Sequence, residues 1–135
     1  MASDQFEIFD DEFQSMLGSS PTLVQRAEGM AFAEGVCWVP RLNKVIVSDI
    51  PNNRIVSWGE SEGFGIYREP SGCSNDNTVD REGRVISCLT RGRTVVREEL
   101  DGSFTTIADS YDGGKLTSPN DVAVKSDGSI WFTDP

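Results

Sequence analysis

The chain has no histidine and only three cysteines, Cys37, Cys73 and Cys88, among its 135 residues. An odd number of thiols without CxxC spacing reads as reduced cysteines, neither a disulfide frame nor a zinc site. Basic residues are also scarce. The 12 Lys and Arg stand against 22 Asp and Glu, leaving a formal charge of −10. Nucleic-acid affinity comes mainly from Lys and Arg neutralising phosphates, so the charge argues against a nucleic-acid partner and against an anionic membrane surface. No apolar run approaches the length of a membrane span, and the opening MASDQFEIFDDEF is acidic where a secretory signal is basic and then apolar. The expected compartment is the cytoplasm. Long segments with a helical period are missing as well.

What the chain does have is a repeat. A hinge bearing Glu or Asn, a charged or Gly-containing turn and an apolar β-rich run recur from Glu34 (EGVCWVPRLNKVIVSD), Asn75 (NDNTVDREGRVISC) and Asn120 (NDVAVKSDGSIWFTD). Aligning Val45, Val85 and Ile130 brings Ile46, Ile86 and Trp131 into correspondence, and Asp49 with Asp134. A shift of 40 residues also carries Ile55, Val56 and Phe64 onto Val95, Val96 and Phe104. Short strands repeating every ~40–45 residues are the signature of β-propeller blades. The expected fold class is therefore all-β, with a leader over 1–28 and the N-terminal part of a propeller over 29–135. About two and a half blades are expected, whereas a closed ring takes about four to eight. On that reading the remaining blades are needed to close the ring, and the last strand is an exposed edge.

Within the leader, Phe6, Ile8, Phe9, Phe13, Met16 and Leu17 suggest a short amphipathic helix or turn, interrupted at Ser19-Ser20-Pro21. Pro51-Asn52-Asn53, Asp101-Gly102 and Asp127-Gly128 mark turns, and Asp112-Gly113-Gly114 opens a longer loop before Ser118-Pro119. Trp38, Trp58 and Trp131 read as inter-blade packing.

Equivalent positions of successive blades face one central channel, so Glu34, Asn75 and Asn120 are expected to converge there. A carboxylate and two amide oxygens, with no histidine and no paired thiols, suit calcium or magnesium better than zinc. Blander roles compete: Glu34 as a turn carboxylate, Asn75 and Asn120 as Asx-turns at strand starts. Asp49, Asp76, Asp121 and Asp134 read as ties to neighbouring backbone amides.

The segments AEGVCWVP, VSDIPNNRIVSW, REPSG-SNDNT-DREGR and above all LTSPNDVAVKSDGSIWFTDP resemble the N-terminal part of the gluconolactonase / regucalcin-like (senescence marker protein) lactonase family. The resemblance runs over roughly residues 5–135. It implies a six-bladed propeller with one divalent cation in the channel, calcium first and magnesium or zinc as alternatives, and hydrolysis of a small-molecule sugar lactone. Glu34 matches the Glu of the family's AEGP motif, a metal ligand, and Asn120 in SPND matches an Asn on the same metal. Asn75 matches an Asn that faces the metal directly in some members and through substrate or water in others, so it is also the candidate substrate-binding residue. The family's Asp, ligand and general base, is expected beyond Pro135, and no catalytic residue is assigned within the chain. Departures fall near the channel mouth. Val36 replaces a proline, Cys88-Leu89-Thr90 stands where bacterial relatives read C-E-H, and Cys73 stands where some animal members carry a substrate-binding Arg.

Two classes of function follow. One is a metal-dependent lactonase, with a phosphotriesterase-like hydrolase as the variant within that class. The other is a non-catalytic calcium-binding propeller or an inactive truncated product. The 135 residues alone are expected to have little activity, and assembly of separate chains into a ring is not expected.

Overall fold

A computed structural model describes residues 6–17 and 21–135. The leader forms one short helix, α1 (Asp11–Leu17), with no buried residue. Asp10 opens it by accepting the Glu12 N–H at 2.7 Å, and Asp11 and Glu12 place negative charge in the first turn, where the helix dipole favours it. The interruption expected at Ser19-Ser20, and the first five residues of the acidic opening, lie outside the described residues.

Two four-stranded antiparallel sheets follow, each in simple meander order. The first holds β1 (Ala33–Val39), β2 (Lys44–Asp49), β3 (Arg54–Gly59) and β4 (Gly63–Arg68). The second holds β5 (Ser74–Val79), β6 (Val85–Leu89), β7 (Thr94–Glu98) and β8 (Phe104–Ala108). The repeat holds in three dimensions. Phe64 pairs with Trp58 and Phe104 with Glu98, and both β3–β4 and β7–β8 carry a bulge at the equivalent place, after Ile55 and after Val95. A third unit begins as the hairpin of β11 (Val122–Val124) and β12 (Ile130–Phe132). Sheets of this order and spacing are consecutive propeller blades, two complete and a third begun.

Where a longer loop is expected to open at Asp112-Gly113-Gly114, the chain forms a small hairpin, β9 (Ser110–Tyr111) with β10 (Gly114–Lys115). Its two central residues, Asp112 and Gly113, take φ of 49° and 78°, the left-handed pair that a tight two-residue hairpin turn requires.

Sheets buried on both faces read as continuous apolar runs, and β6 shows why. Its Val85 joins Val39, Ile46 and Ile55 of the first sheet in one core. The next residue points the other way, so Ile86 and Cys88 pack with Val95 and with Val122 of the third unit. Each such side chain contributes roughly 1.5–3 kcal/mol on burial. Polar contacts stitch the first joint: Arg41 Nε donates to the Gly83 carbonyl at 2.9 Å, and the Tyr67 hydroxyl to Glu98 Oε2 at 2.9 Å. Burial and the Glu98 carboxylate push the Tyr67 hydroxyl above its ordinary pKa.

The tryptophans depart from expectation. Only Trp58 is half-buried, and its cover is the Arg26 guanidinium, 4.9 Å from the ring centroid. Trp38 and Trp131 are 49% and 66% exposed, because no described element covers the faces of β1 and β12 that carry them. Among the described residues no helix is long and apolar enough to cross a membrane.

Candidate functional site

The three hinge residues lie at the starts of the inner strands. On β1 a bulge sets Gly35 and Val36 opposite Val47, between the pairs Glu34↔Ser48 and Cys37↔Ile46. On β5 the same irregularity sets Asn75 and Asp76 opposite Cys88. A bulge releases residues from the ladder and re-aims their side chains; it does so for Asn75, whereas Glu34 stays paired with Ser48 at the bulge's edge.

The structure brings Asn75 and Asn120 into direct contact: Asn75 Nδ2 donates to Asn120 Oδ1 at 2.5 Å across 45 residues of sequence. The residue after Glu34 approaches the same hinge. Gly35, at φ 58°, lies so close to the second sheet that a Cβ there would stand 2.2 Å from the Asn75 carbonyl oxygen and 2.7 Å from the Asp76 Cα. The Glu34 side chain itself is exposed and makes no hydrogen bond or ion pair to a described residue. Asn75 is half-buried and Asn120 exposed.

Asp49, Asp76 and Asp134 are tied to backbone N–H groups as expected, whereas the Asp121 carboxyl meets that of Asp76 instead. Asp49 is fully buried and accepts from the N–H groups of Ala31 and Phe32 at 3.0 and 3.4 Å, from Asn52 at 2.8 Å and from Arg54 at 2.9 Å. Burial alone would raise its carboxyl, but those donors outweigh it and the net shift is downward. Asp134 repeats the arrangement, accepting from the N–H groups of Thr117 and Ser118 at 2.7 and 2.5 Å. Asp76 Oδ2 accepts from the Val122 N–H at 2.9 Å. Burial chiefly, and the neighbouring Asp121 carboxyl, push the Asp76 carboxyl up, against the pull of the Val122 and Asn77 N–H groups. The field at this end is negative. Cys88 feels it: burial first, then Asp76, Asp121 and Asp134, push its thiol up to about 12.

Among the described residues no three His, Cys, Asp or Glu side chains come together in ion-binding geometry. The candidate set is thus one free carboxylate and two amides in an acidic setting, an oxygen-only donor set that fits a hard cation and offers zinc no nitrogen or sulfur. The three thiols are unbridged. Near the mouth, Thr90 Oγ1 donates to the Pro119 carbonyl at 3.1 Å, so it serves the second joint. Cys73, at φ 53°, donates its N–H to Asn53 Oδ1 at 2.8 Å.

Sequence reasoning missed Asn77. This side chain is 4% exposed and makes four hydrogen bonds, two to each of the first two sheets. The signal was present, since Val36 and Val122 hold the equivalent position of the other repeats.

Comparison with known proteins agrees with the fold. Residues 32–135 match the profile of the SMP-30/Gluconolactonase/LRE-like region. A gluconolactonase of Zymomonas mobilis is 26% identical over 94% of this chain, and the chain spans 40% of that protein's length. An X-ray structure of a provisionally named gluconolactonase superposes with a TM-score of 0.78 at 37% identity, over 83% of this chain and 39% of that one. A gluconolactonase of Xanthomonas campestris superposes with a TM-score of 0.73 at 33% identity, over 77% of this chain and 35% of that one.

Proposed function

The chain belongs to the SMP-30/gluconolactonase/LRE-like family, and on that premise we propose that Glu34, Asn75 and Asn120 form part of the divalent-cation centre of a sugar-lactone hydrolase. The observation that carries the reading is the Asn75–Asn120 contact between separate repeats, with Gly35, the residue after Glu34, packed close to the Asn75 carbonyl. Calcium is the ion the donors suit best, with magnesium next. When bound, the cation supplies Lewis-acid polarisation of the lactone carbonyl. Glu34 contributes the charge that holds it. The amide oxygens of Asn75 and Asn120 would be donors to the cation, and Asn75, on the more sheltered side, would double as the contact to substrate. The relatives' name, gluconolactonase, suggests an aldonolactone as substrate.

One observation favours a narrower role for this chain by itself. Asp49, Asp76 and Asp134 are all tied to backbone N–H groups, so none is free to take a proton from water. A non-catalytic cation-binding role is the second reading.

Calorimetric titration with calcium, and with zinc in parallel, tests the centre. Glu34→Gln removes a ligand charge and Asn120→Ala a ligand oxygen, and each is expected to weaken calcium binding at least about tenfold. Unchanged affinity in both variants returns these residues to ordinary turn roles.

A further inference from the structure

We propose that Asn77 is a positioning residue, which fixes the Glu34–Gly35 segment of the first sheet against Asn75 of the second. The inference rests on the reading of the hinge as a cation centre and names what holds that hinge in place.

Its starting point is a break in the repeat. The cross-strand pair Asn77↔Ser87 corresponds to Val122↔Phe132 in the third unit and, by position in the repeat, to Val47 and the bulged, exposed Val36 in the first. Only the second sheet has exchanged both apolar partners for polar ones, at a site where Asn77 is 4% and Ser87 0% exposed. Polar groups are costly to bury unless paired, so so complete a set of partners has to be accounted for.

The bonds show what the exchange does. Asn77 Nδ2 donates to the Gly35 carbonyl at 3.0 Å and to Ser48 Oγ at 2.8 Å, both in the first sheet. Asn77 Oδ1 accepts from Ser74 Oγ at 3.1 Å and from Ser87 Oγ at 2.8 Å, both in the second. Two donor hydrogens and two acceptor positions are filled, which fixes the amide's orientation. Arg68 Nη2 braces the network from behind, donating to Ser87 Oγ at 3.0 Å.

The next joint explains why Asn77 is needed here. Between the second and third units the Asp76 N–H donates to the Asn120 carbonyl at 3.1 Å, and the Asp76 carboxylate reaches forward to the Val122 N–H. The residue equivalent to Asp76 in the first sheet is Gly35, which has no side chain to reach with. The first joint is latched in reverse, by Asn77 reaching back to the Gly35 carbonyl. The carbonyl it grips belongs to the residue directly after Glu34.

The test uses the 135-residue chain and Asn77→Val, the residue of the sister repeats. In a nitrogen–proton correlation spectrum, the side-chain amide signals of Asn75 and Asn120 are expected to move toward unstructured positions, while the backbone amide signals of Ile46 and Val95 stay. Titration with terbium(III) is expected to weaken at least about tenfold, the usual loss when a partner of a ligand is removed. Glu34→Gln in the same titration reports whether terbium sits at the hinge. Unmoved Asn75 and Asn120 signals overturn the proposal, and so do displaced signals with wild-type terbium affinity. Displaced signals in a chain whose wild type binds no terbium leave the hold of Asn77 on the hinge intact and remove the cation reading. Should Asn77→Val fail to fold, Ser48→Ala takes away one first-sheet acceptor and is read by the same signals, with a smaller displacement expected.

Discussion

Replacing Gly35 by alanine tests whether the close approach of the first two sheets is as tight as it stands. The substitution has two separable costs. A left-handed φ, 58° here, costs an L-residue about 1–2 kcal/mol. The added Cβ also meets backbone, at 2.2 Å from the Asn75 oxygen and 2.7 Å from the Asp76 Cα, and neither atom can rotate away. Restoring ordinary contact of about 3.5 Å parts the sheets by roughly 1 Å, an overpacking cost of about 1–3 kcal/mol. That parting also strains the Asn77–Gly35 hydrogen bond, about 1 kcal/mol more. Gly63→Ala is the matched control, since Gly63 has φ 71° and nothing within 4 Å of its would-be Cβ. Urea unfolding followed by tryptophan fluorescence should show about 1–2 kcal/mol lost in the control. Gly35→Ala should lose roughly 3–6 kcal/mol, a large share of a small domain's total stability. Equal losses in the two variants would refute the argument, because the backbone conformation would then account for everything Gly35 supplies.

Asp49 gives a pH signature. Its folded carboxyl titrates below the unfolded value of about 3.9, so its stabilisation is present above that pH and is lost as pH falls through the folded value. Asp49→Asn should be less stable at neutral pH but should lose stability less steeply in acid, and parallel acid limbs for the two proteins would sink this account. For activity, the 135-residue chain assayed against glucono-lactone with calcium or zinc is expected to stay at the spontaneous opening rate. The hinge supplies at most three ligands, and the acids tied to backbone amides leave no free general base among them. Turnover above that rate, abolished by chelator, would show that a base has been overlooked.

The fold was legible wherever the repeat recorded it twice. Ile55 with Val95 and Phe64 with Phe104 predicted each other at a fixed shift, and they occupy equivalent register positions. The meeting of Asn75 with Asn120 was legible for the same reason. Asn77 was not, because in NDNT it reads as one more turn-prone polar residue; only comparison with Val36 and Val122 marks it as a polar side chain in an apolar slot. The tryptophans failed differently. Aromatic character implies burial only where a second surface exists to cover the ring, and Trp38 and Trp131 have none among the described residues. The Asp112-Gly113 hairpin was hidden because its strands are two residues each, too short for any alternation to show.

The bulges connect the fold to the site. An unbroken ladder would pair Asn75 and Asp76 with successive residues of β6 and send them to opposite faces of the sheet. Setting both opposite Cys88 frees each for a separate task. Asn75 turns to Asn120, and Asp76 uses its N–H and its carboxylate to grip the third unit. In the first sheet a bulge one position along spends its freedom on closeness: Gly35 gives up a side chain so that the backbone of β1 can approach Asn75 and Asp76, and Asn77 supplies the missing latch. Residues that dock one blade on the next are therefore immediate neighbours of those that present oxygens. Any change that loosens a joint at its inner edge also displaces a donor, and for this reason stability and ion affinity are expected to respond together at Gly35 and apart at Gly63.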